Sequence, residues 1–300
     1  KKTIVILTLF WKKNVCDYLL RYVESVNRMI DYSKSAYNVK VLLFDNSPLP
    51  TLSKFIKGNN INLGNHLKIF HGMGSKFFAP DNNLLVKEAL KYKPSYFMFL
   101  NPDTEISPNL MNEMFKVFNS TDNVFCVDAR QWPFEHPKVH DKNTLEVSWC
   151  SGACLLVDSK VFIDLEGFDE KFFMYAEDVD LSWRAWEAGY KCLYSPDAVC
   201  VHHCFGMSKD SLFRQYWGIR NGMLMRFKHG SITEVLIYFK LILGHVVKGK
   251  PGFKELINIL KALCVGLTYS FFYWKCLFKI KKRPVFANFY GLEYAKVRNE

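Results

Sequence analysis

The chain has 300 residues, 49% of them hydrophobic and 16% aromatic, and carries a formal net charge of +11. That apolar content excludes a disordered chain, and the length suits one α/β domain with an appendage or two modest domains. The charge is unevenly placed: residues 226–283 hold twelve Lys or Arg against two Glu, so the first 225 residues are close to neutral. A basic tail on a neutral body predicts an anionic partner for the tail, either a membrane or a nucleic acid.

"TIVILTLF" (3–10) reads as a buried first strand: its apolar run is short, rich in β-branched residues, and followed at once by Lys12 and Lys13 with no cleavage site. A helix through "VCDYLLRYVESVNRMI" comes next. "VKVLLFDNS" (39–47) is a second strand that runs into Asp45. After a Gly/Asn-rich stretch, "NNLLVKEALKYK" reads as a helix, and "SYFMFLNPDTEI" (95–106) as a strand with a polar tip. A helix around "NLMNEMFKVFN" follows, then a strand at "NVFCVDAR" (123–130). "VSWCSGACLLVDSKVFIDLEGF" carries a further strand and a short helix. Buried strands alternating with helices predict a mostly parallel sheet covered on both faces, with ligands beyond the strands' carboxyl ends. The nine cysteines are scattered, odd in number and without a CxxC pair, which fits buried free thiols in a reducing compartment.

Chemistry-bearing residues concentrate at those strand ends. Asp103 and Glu105 follow the third strand, adjacent His202 and His203 close an alternating apolar stretch, and "FFMYAEDVDLSWRAWEAG" (172–189) packs Glu177, Asp178 and Asp180 among aromatics. The last stretch also reads as a helix start, with acidic residues favouring the positive end of the dipole, Asp180 reaching Arg184 at i,i+4, and Gly189 ending the helix.

In this order, and above all across "GFDEKFFMYAEDVDLSWRAWEAGYKCLYSPDAVCVHH" (167–203), residues 3–225 resemble the family-2 inverting glycosyltransferases of GT-A fold, particularly bacterial rhamnosyltransferase-like members. "SLFRQYWGIRNGMLMRF", with Arg220 and Asn221, is similar to that group's downstream segment. The resemblance implies a GT-A domain over 1–225 and an inverting transfer of a sugar, best L-rhamnose from dTDP-rhamnose, to a lipid-linked glycan in bacterial surface-polysaccharide synthesis. The alternatives are a UDP-hexose or UDP-galactofuranose donor on the same fold, or a silent glycan- or lipid-binding scaffold. Asp178 matches the family's base, with Glu177 and Asp180 beside it. Asp103 matches the second aspartate of the family's D-x-D motif, whose first is Asn101 here. One of His202 and His203 would complete a site for Mg²⁺ or Mn²⁺. Arg220 and Asn221 would support the diphosphate, Asp45 the base and ribose, and Thr8 and Asn83 the donor side. Trp149, Ser151 and Gly152 would face the acceptor.

The tail, 226–300, reads as basic amphipathic helices. Its longest charge-free run, Ala262 to Trp274, is thirteen residues, short of the roughly 20 that span a bilayer, so interfacial binding to an anionic, cytoplasmic-side membrane is expected. The alternative use of these helices is to pack on the catalytic domain or to form a homodimer contact. Nucleic acid is not expected, because the aromatics lie in aliphatic runs.

Overall fold

A computed structural model describes residues 1–11, 16–47, 49–59, 61, 66–72, 77–136, 138–203, 211–284 and 287–289. Lys12, Lys13 and Cys204 lie outside the described residues. The strands are β1 (Lys2–Phe10), β2 (Tyr37–Asp45), β3 (Leu67–His71), β4 (Tyr96–Leu100), β5 (Thr104–Ile106), β6 (Val124–Trp132), β7 (Cys154–Asp158) and β8 (Lys191–His202). The helices are α1 (Cys16–Ser33), α2 (Thr51–Gly58), α3 (Phe78–Ala89), α4 (Leu110–Phe118), α5 (Ser159–Asp164), α6 (Glu177–Glu187), α7 (Ser211–His229), α8 (Ile232–Gly249) and α9 (Phe253–Ser270).

All eight strands form one sheet in the order β3-β2-β1-β4-β7-β6-β8-β5. Pairs β1–β2, β2–β3, β1–β4 and β6–β8 are parallel, while β7 runs against both β4 and β6, and β5 against β8. The sheet is therefore mixed, and the expected 95–106 strand is two: β4 lies near the centre and β5 at the far edge, with Asn101–Asp103 crossing between them. Side-chain alternation explains the two-sided burial. Val5, Leu7, Phe97 and Phe99 join one core with residues of α3 and α6, whereas Ile4, Ile6, Met98 and Leu100 join another with α1 and α4.

Because β7 is reversed between β4 and β6, strands β1, β2, β3, β4, β6 and β8 all end on one rim. The loop entering β7 opens on that same rim. Asp45, Asn101, Asp103, Gly152 and His202 are thus gathered by topology.

The tail is helical and continues past the expected boundary at 225/226, since α7 runs on to His229. Helix α9 packs along α7, with Ile259, Ala262 and Ser270 buried. Gly266 permits this approach: an added Cβ would stand 3.0 Å from the Arg220 carbonyl oxygen. With the 3₁₀ segment Phe271–Phe278 that follows it, α9 makes one run, Phe253–Phe278, long and apolar enough by composition to cross a membrane.

Candidate active site

On the rim, β8 delivers two histidines to opposite faces, as strand alternation requires. His202 is buried, with Nε2 3.5 Å from Asp103 Oδ1 and 3.4 Å from Asn101 Nδ2, and its Nδ1 lies 2.9 Å from Gln131 Oε1. His203 turns away. Its Nε2 is 2.7 Å from Glu105 Oε1 and its ring stacks on Tyr18 at 4.9 Å. Of the two, the geometry puts His202 beside Asp103 and pairs His203 with Glu105 on the other face. One backbone and one side-chain bond hold the Asp103 turn in place: the Asp103 carbonyl accepts from His203 N at 2.9 Å, and Thr104 Oγ1 donates to the Asn101 carbonyl at 2.7 Å. The donor set fits a divalent cation. Two ligands at about 2.1 Å from an octahedral ion stand about 3 Å apart, close to the observed separation, and the Gln131 contact orients the ring as supporting residues do around metal-bound histidines.

The second cluster is the start of α6. Asp178 Oδ2 accepts from Gly152 N at 3.0 Å and Oδ1 from Val179 N at 2.8 Å. Burial raises its carboxyl above the usual value, although these hydrogen bonds and the nearby His136 and Lys138 pull the other way. Glu177, more deeply buried and beside Asp178, is raised well above the ordinary range by burial first and that neighbour second. Its Oε2 has no hydrogen-bond partner among the described residues. Asp180 behaves oppositely. Burial would raise it, but Lys228 Nζ at 2.7 Å, Arg184 Nε at 2.8 Å and His229 Nε2 at 2.8 Å outweigh that and hold it well below the usual carboxylate value. Asp180 therefore anchors α6 to α7 as a fixed anion, and the geometry does not place it as a proton acceptor.

The segment leading into α6 is strained. Phe173, Tyr175 and Ala176 all have positive φ, near 61–67°, which L-residues adopt at a cost of about 1–3 kcal/mol each. Arg220 and Asn221 hold it. Asn221 Nδ2 lies within 3.0 Å of the carbonyls of Phe172, Met174 and Tyr175, and Arg220 Nη1 donates to the Lys171 carbonyl at 2.6 Å. The Arg220 guanidinium is enclosed by Tyr269 at 4.4 Å, Phe173 at 4.9 Å and Trp217 at 5.3 Å, and burial lowers its pKa to about 10. In the structure this pair supports the loop beneath Asp178.

Other expected residues are also engaged in structure. Thr8 is fully buried with Oγ1 2.5 Å from the Tyr22 hydroxyl, so it faces the core and not the rim. Asn83 pins residues 168–170, donating to the Phe168 carbonyl at 2.8 Å and accepting from Phe168 N at 3.0 Å. Asp45 receives Ser47 N at 3.1 Å and Leu52 N at 2.8 Å, shaping the loop after β2. Ser151 N donates to Asp128 Oδ2 at 3.1 Å, and Asp128 is also ion-paired with buried Lys138. Trp149 packs at that strap, 5.6 Å from the His136 ring and 5.4 Å from Lys138 Nζ.

The strap after β6 was not anticipated. His136 lies within electrostatic range of both Asp178 and His202, and so joins the two clusters. Its only trace in the sequence is the aromatic and His-rich "QWPFEHPKVH".

Comparison with known proteins bears on this arrangement. Over 57 residues the chain is 51% identical to an N-acetylglucosaminyl-diphospho-decaprenol L-rhamnosyltransferase of Mycobacterium tuberculosis (strain ATCC 25618 / H37Rv), covering 19% of each protein. It is 29% identical over 161 residues to rhamnosyltransferase WbbL of Escherichia coli (strain K12), covering 42% of this chain and 60% of that one. The chain thus spans less than two thirds of the length of these relatives. The mannosyltransferase PcManGT from Pyrobaculum calidifontis, solved in complex with GDP-Man and Mn²⁺, superposes with a TM-score of 0.58. That match has 12% identity and covers 91% of this chain and 83% of that one. No protein-family model matches the chain. The fold is that of the GT-A glycosyltransferases. Its sequence relatives are glycosyltransferases, rhamnosyltransferases among them.

Proposed function

We propose that the chain transfers a sugar from a nucleotide-diphospho donor to an acceptor hydroxyl, with inversion. The observation that carries this reading is the pairing of Asp103 with an oriented His202 on the rim where Asp178 also stands. Asp103 and His202 would hold Mg²⁺ or Mn²⁺, which when bound offsets the negative charge that builds on the departing diphosphate. Asp178 accepts the hydroxyl proton as that oxygen attacks the anomeric carbon. Its raised pKa improves it as a base near neutrality, and the Gly152 N–H fixes which oxygen lone pair is offered. Glu177 beside it is raised well above the ordinary carboxylate range, and its neutral form would spare the site a second adjacent charge. Attack opposite the leaving diphosphate in a single displacement inverts the anomeric centre.

The rhamnosyltransferase relatives support dTDP-L-rhamnose as donor, and the decaprenol-linked substrate in one relative's name supports a lipid-linked acceptor. The test is a panel of nucleotide-sugars, including UDP-hexoses, scored for thermal stabilisation with and without Mg²⁺ or Mn²⁺, followed by product stereochemistry. Stabilisation by dTDP-rhamnose only with metal, and an inverted product, are expected. A retained configuration or full activity in excess EDTA overturns the reading.

Tethering to an anionic, cytoplasmic-side membrane is part of the proposal. Phe271, Phe272, Phe278 and Ile280 are 68–91% exposed and lie among Lys275, Lys279 and Lys282. Apolar side chains flanked by cations suit a headgroup boundary, each cation adding about 1 kcal/mol near an anionic leaflet. Co-sedimentation with anionic vesicles at low salt, lost with neutral vesicles, is the expected result. Full-length protein left in the supernatant with anionic vesicles at low salt overturns it.

A further inference from the structure

Behind the loop that carries Gly152 lie three thiols that the transfer chemistry does not use. Cys126 comes from β6, Cys150 from the loop entering β7, and Cys192 from β8; all are fully buried, with their sulfurs within 4.8 Å of one another. Cys126 and Cys192 are register partners on adjacent strands, which sets two of the three positions by backbone pairing. We propose that Cys126, Cys150 and Cys192 form a binding site for one thiophilic d¹⁰ cation of the Zn²⁺ or Cd²⁺ class.

The size is suitable. Three sulfurs at about 2.3 Å from a cation in a trigonal plane stand about 4 Å apart, so closing on an ion needs side-chain shifts below about 1 Å. Soft sulfur donors select such cations over Mg²⁺, which keeps this site distinct from the Asp103–His202 pair. A fourth, oxygen position is at hand. The Leu193 carbonyl is 3.4 Å from the Cys150 sulfur and the Ser182 carbonyl 3.6 Å from that of Cys192, each now accepting an S–H. Binding replaces the thiol protons: one divalent cation and three thiols give a tris-thiolate complex of charge −1 and three released protons. The buried Lys138 ammonium, already paired with Asp128, lies in electrostatic range of Cys126 and Cys150 and moderates that charge. Cys150 N is held by Ser182 Oγ at 3.0 Å, and that hydroxyl donates to the Asp178 carbonyl at 2.8 Å. The site is therefore two hydrogen bonds from the proposed base, and its occupancy stiffens the loop beneath it. None of this depends on the transferase reading.

The experiment titrates Cd²⁺ into the fully reduced full-length protein with Mg²⁺ in excess, following thiolate-to-metal charge-transfer absorbance and proton release. Alkylation mapping in sub-denaturing urea, where the metal-free buried thiols become reactive, then shows which cysteines the metal protects. One equivalent bound, about three protons released, protection confined to Cys126, Cys150 and Cys192, and a raised Tm are expected. Cys192→Ala should weaken binding at least tenfold, while removal of exposed Cys264 should change nothing. Protection falling on other cysteines, or a wild-type protein that gives no charge-transfer band while the three thiols still alkylate, overturns the site without needing a folded variant.

Discussion

Asp178 and Glu177 are neighbours that cannot both ionise cheaply, and their burial separates their tasks. Asp178 keeps two backbone N–H donors while Glu177 Oε2 keeps none, so Asp178 loses its proton first. The catalytic rate should rise with pH through a limb above the ordinary carboxylate range, since a proton acceptor works only once deprotonated. Asp178→Asn should lower kcat by about 10²–10⁴-fold with little change in donor affinity. Near-normal turnover would transfer the role to Glu177. The two histidines should also separate: His202→Ala should abolish metal-dependent stabilisation by donor, whereas His203→Ala, which only frees Glu105 and Tyr18, should preserve it. Calorimetry or thermal shift with and without Mn²⁺ distinguishes these outcomes.

Stability against pH follows from the same helix turn, with two opposite signs. Asp180 is depressed in the fold, so its contribution is full above the ordinary carboxylate value and is lost as pH falls through the lower, folded one. Glu177 is raised, so its contribution is full below the ordinary value and is lost as pH rises through the folded one. Glu177→Gln should accordingly raise Tm at alkaline pH, while Asp180→Asn, which takes the carboxylate partner from Arg184 and leaves Lys228 only Asp169, should cost about 3–5 kcal/mol near neutrality. Denaturant melts across pH measure both.

At the level of loops and helices, the segment 171–176 is held in strained backbone by α7. Asn221→Ala would take the side-chain donor from the part-buried Met174 and Tyr175 carbonyls, while Phe172 keeps Met174 N, at about 1–3 kcal/mol each if neither finds water, so a drop of several degrees in Tm together with reduced kcat is expected. Gly152 has a steric role of its own. An added Cβ would stand 3.1 Å from the Phe78 ring and 3.8 Å from Asp178 Cβ. Gly152→Ala should therefore cost only about 1 kcal/mol, the low end of overpacking, yet reduce kcat more than it alters donor affinity. Unchanged kinetics would show that the loop is free to adjust.

Across the molecule, the tail does more than offer an apolar face. The Tyr273 hydroxyl donates to Asp169 Oδ2 at 2.5 Å, Arg283 Nη2 donates to the His229 carbonyl at 2.7 Å, and the Arg283 guanidinium lies 4.1 Å over Trp183 of α6. Truncation near residue 230 would thus strip Tyr269 from Arg220 and unsettle the rim, confounding any membrane assay. Replacing Phe271 and Phe278 by Ser avoids this, because both side chains are largely exposed, at 73% and 68%. That variant should retain its Tm and donor binding while losing most of its sedimentation with anionic vesicles. Equal sedimentation would exclude those rings as the anchor.

The helix starting at Glu177, its Arg184–Asp180 pair and the strand–helix alternation were legible in the chain because they depend on neighbours within a few residues. So was the placing of polar residues at strand ends, which is a matter of local apolar patterning. The split of 95–106 into β4 and β5 was not legible, because a three-residue break at Asn101–Asp103 looks locally like any polar strand tip. Nor could the spacing of adjacent histidines say which one meets Asp103; that depends on the face β8 turns toward β5 and on Gln131, seventy-one positions away from His202. The part Arg220 plays in holding the 171–176 segment was not legible either, because its charge is visible in sequence while its enclosing rings are not: Tyr269 arrives from a helix that packs back over α7. The same holds for Cys126, Cys150 and Cys192, unremarkable in spacing and joined only by strand pairing. Chain patterning sets which faces are apolar, since that is a property of consecutive residues. Which polar groups meet depends on distant segments sharing one rim, and only the packed sheet brings those segments together.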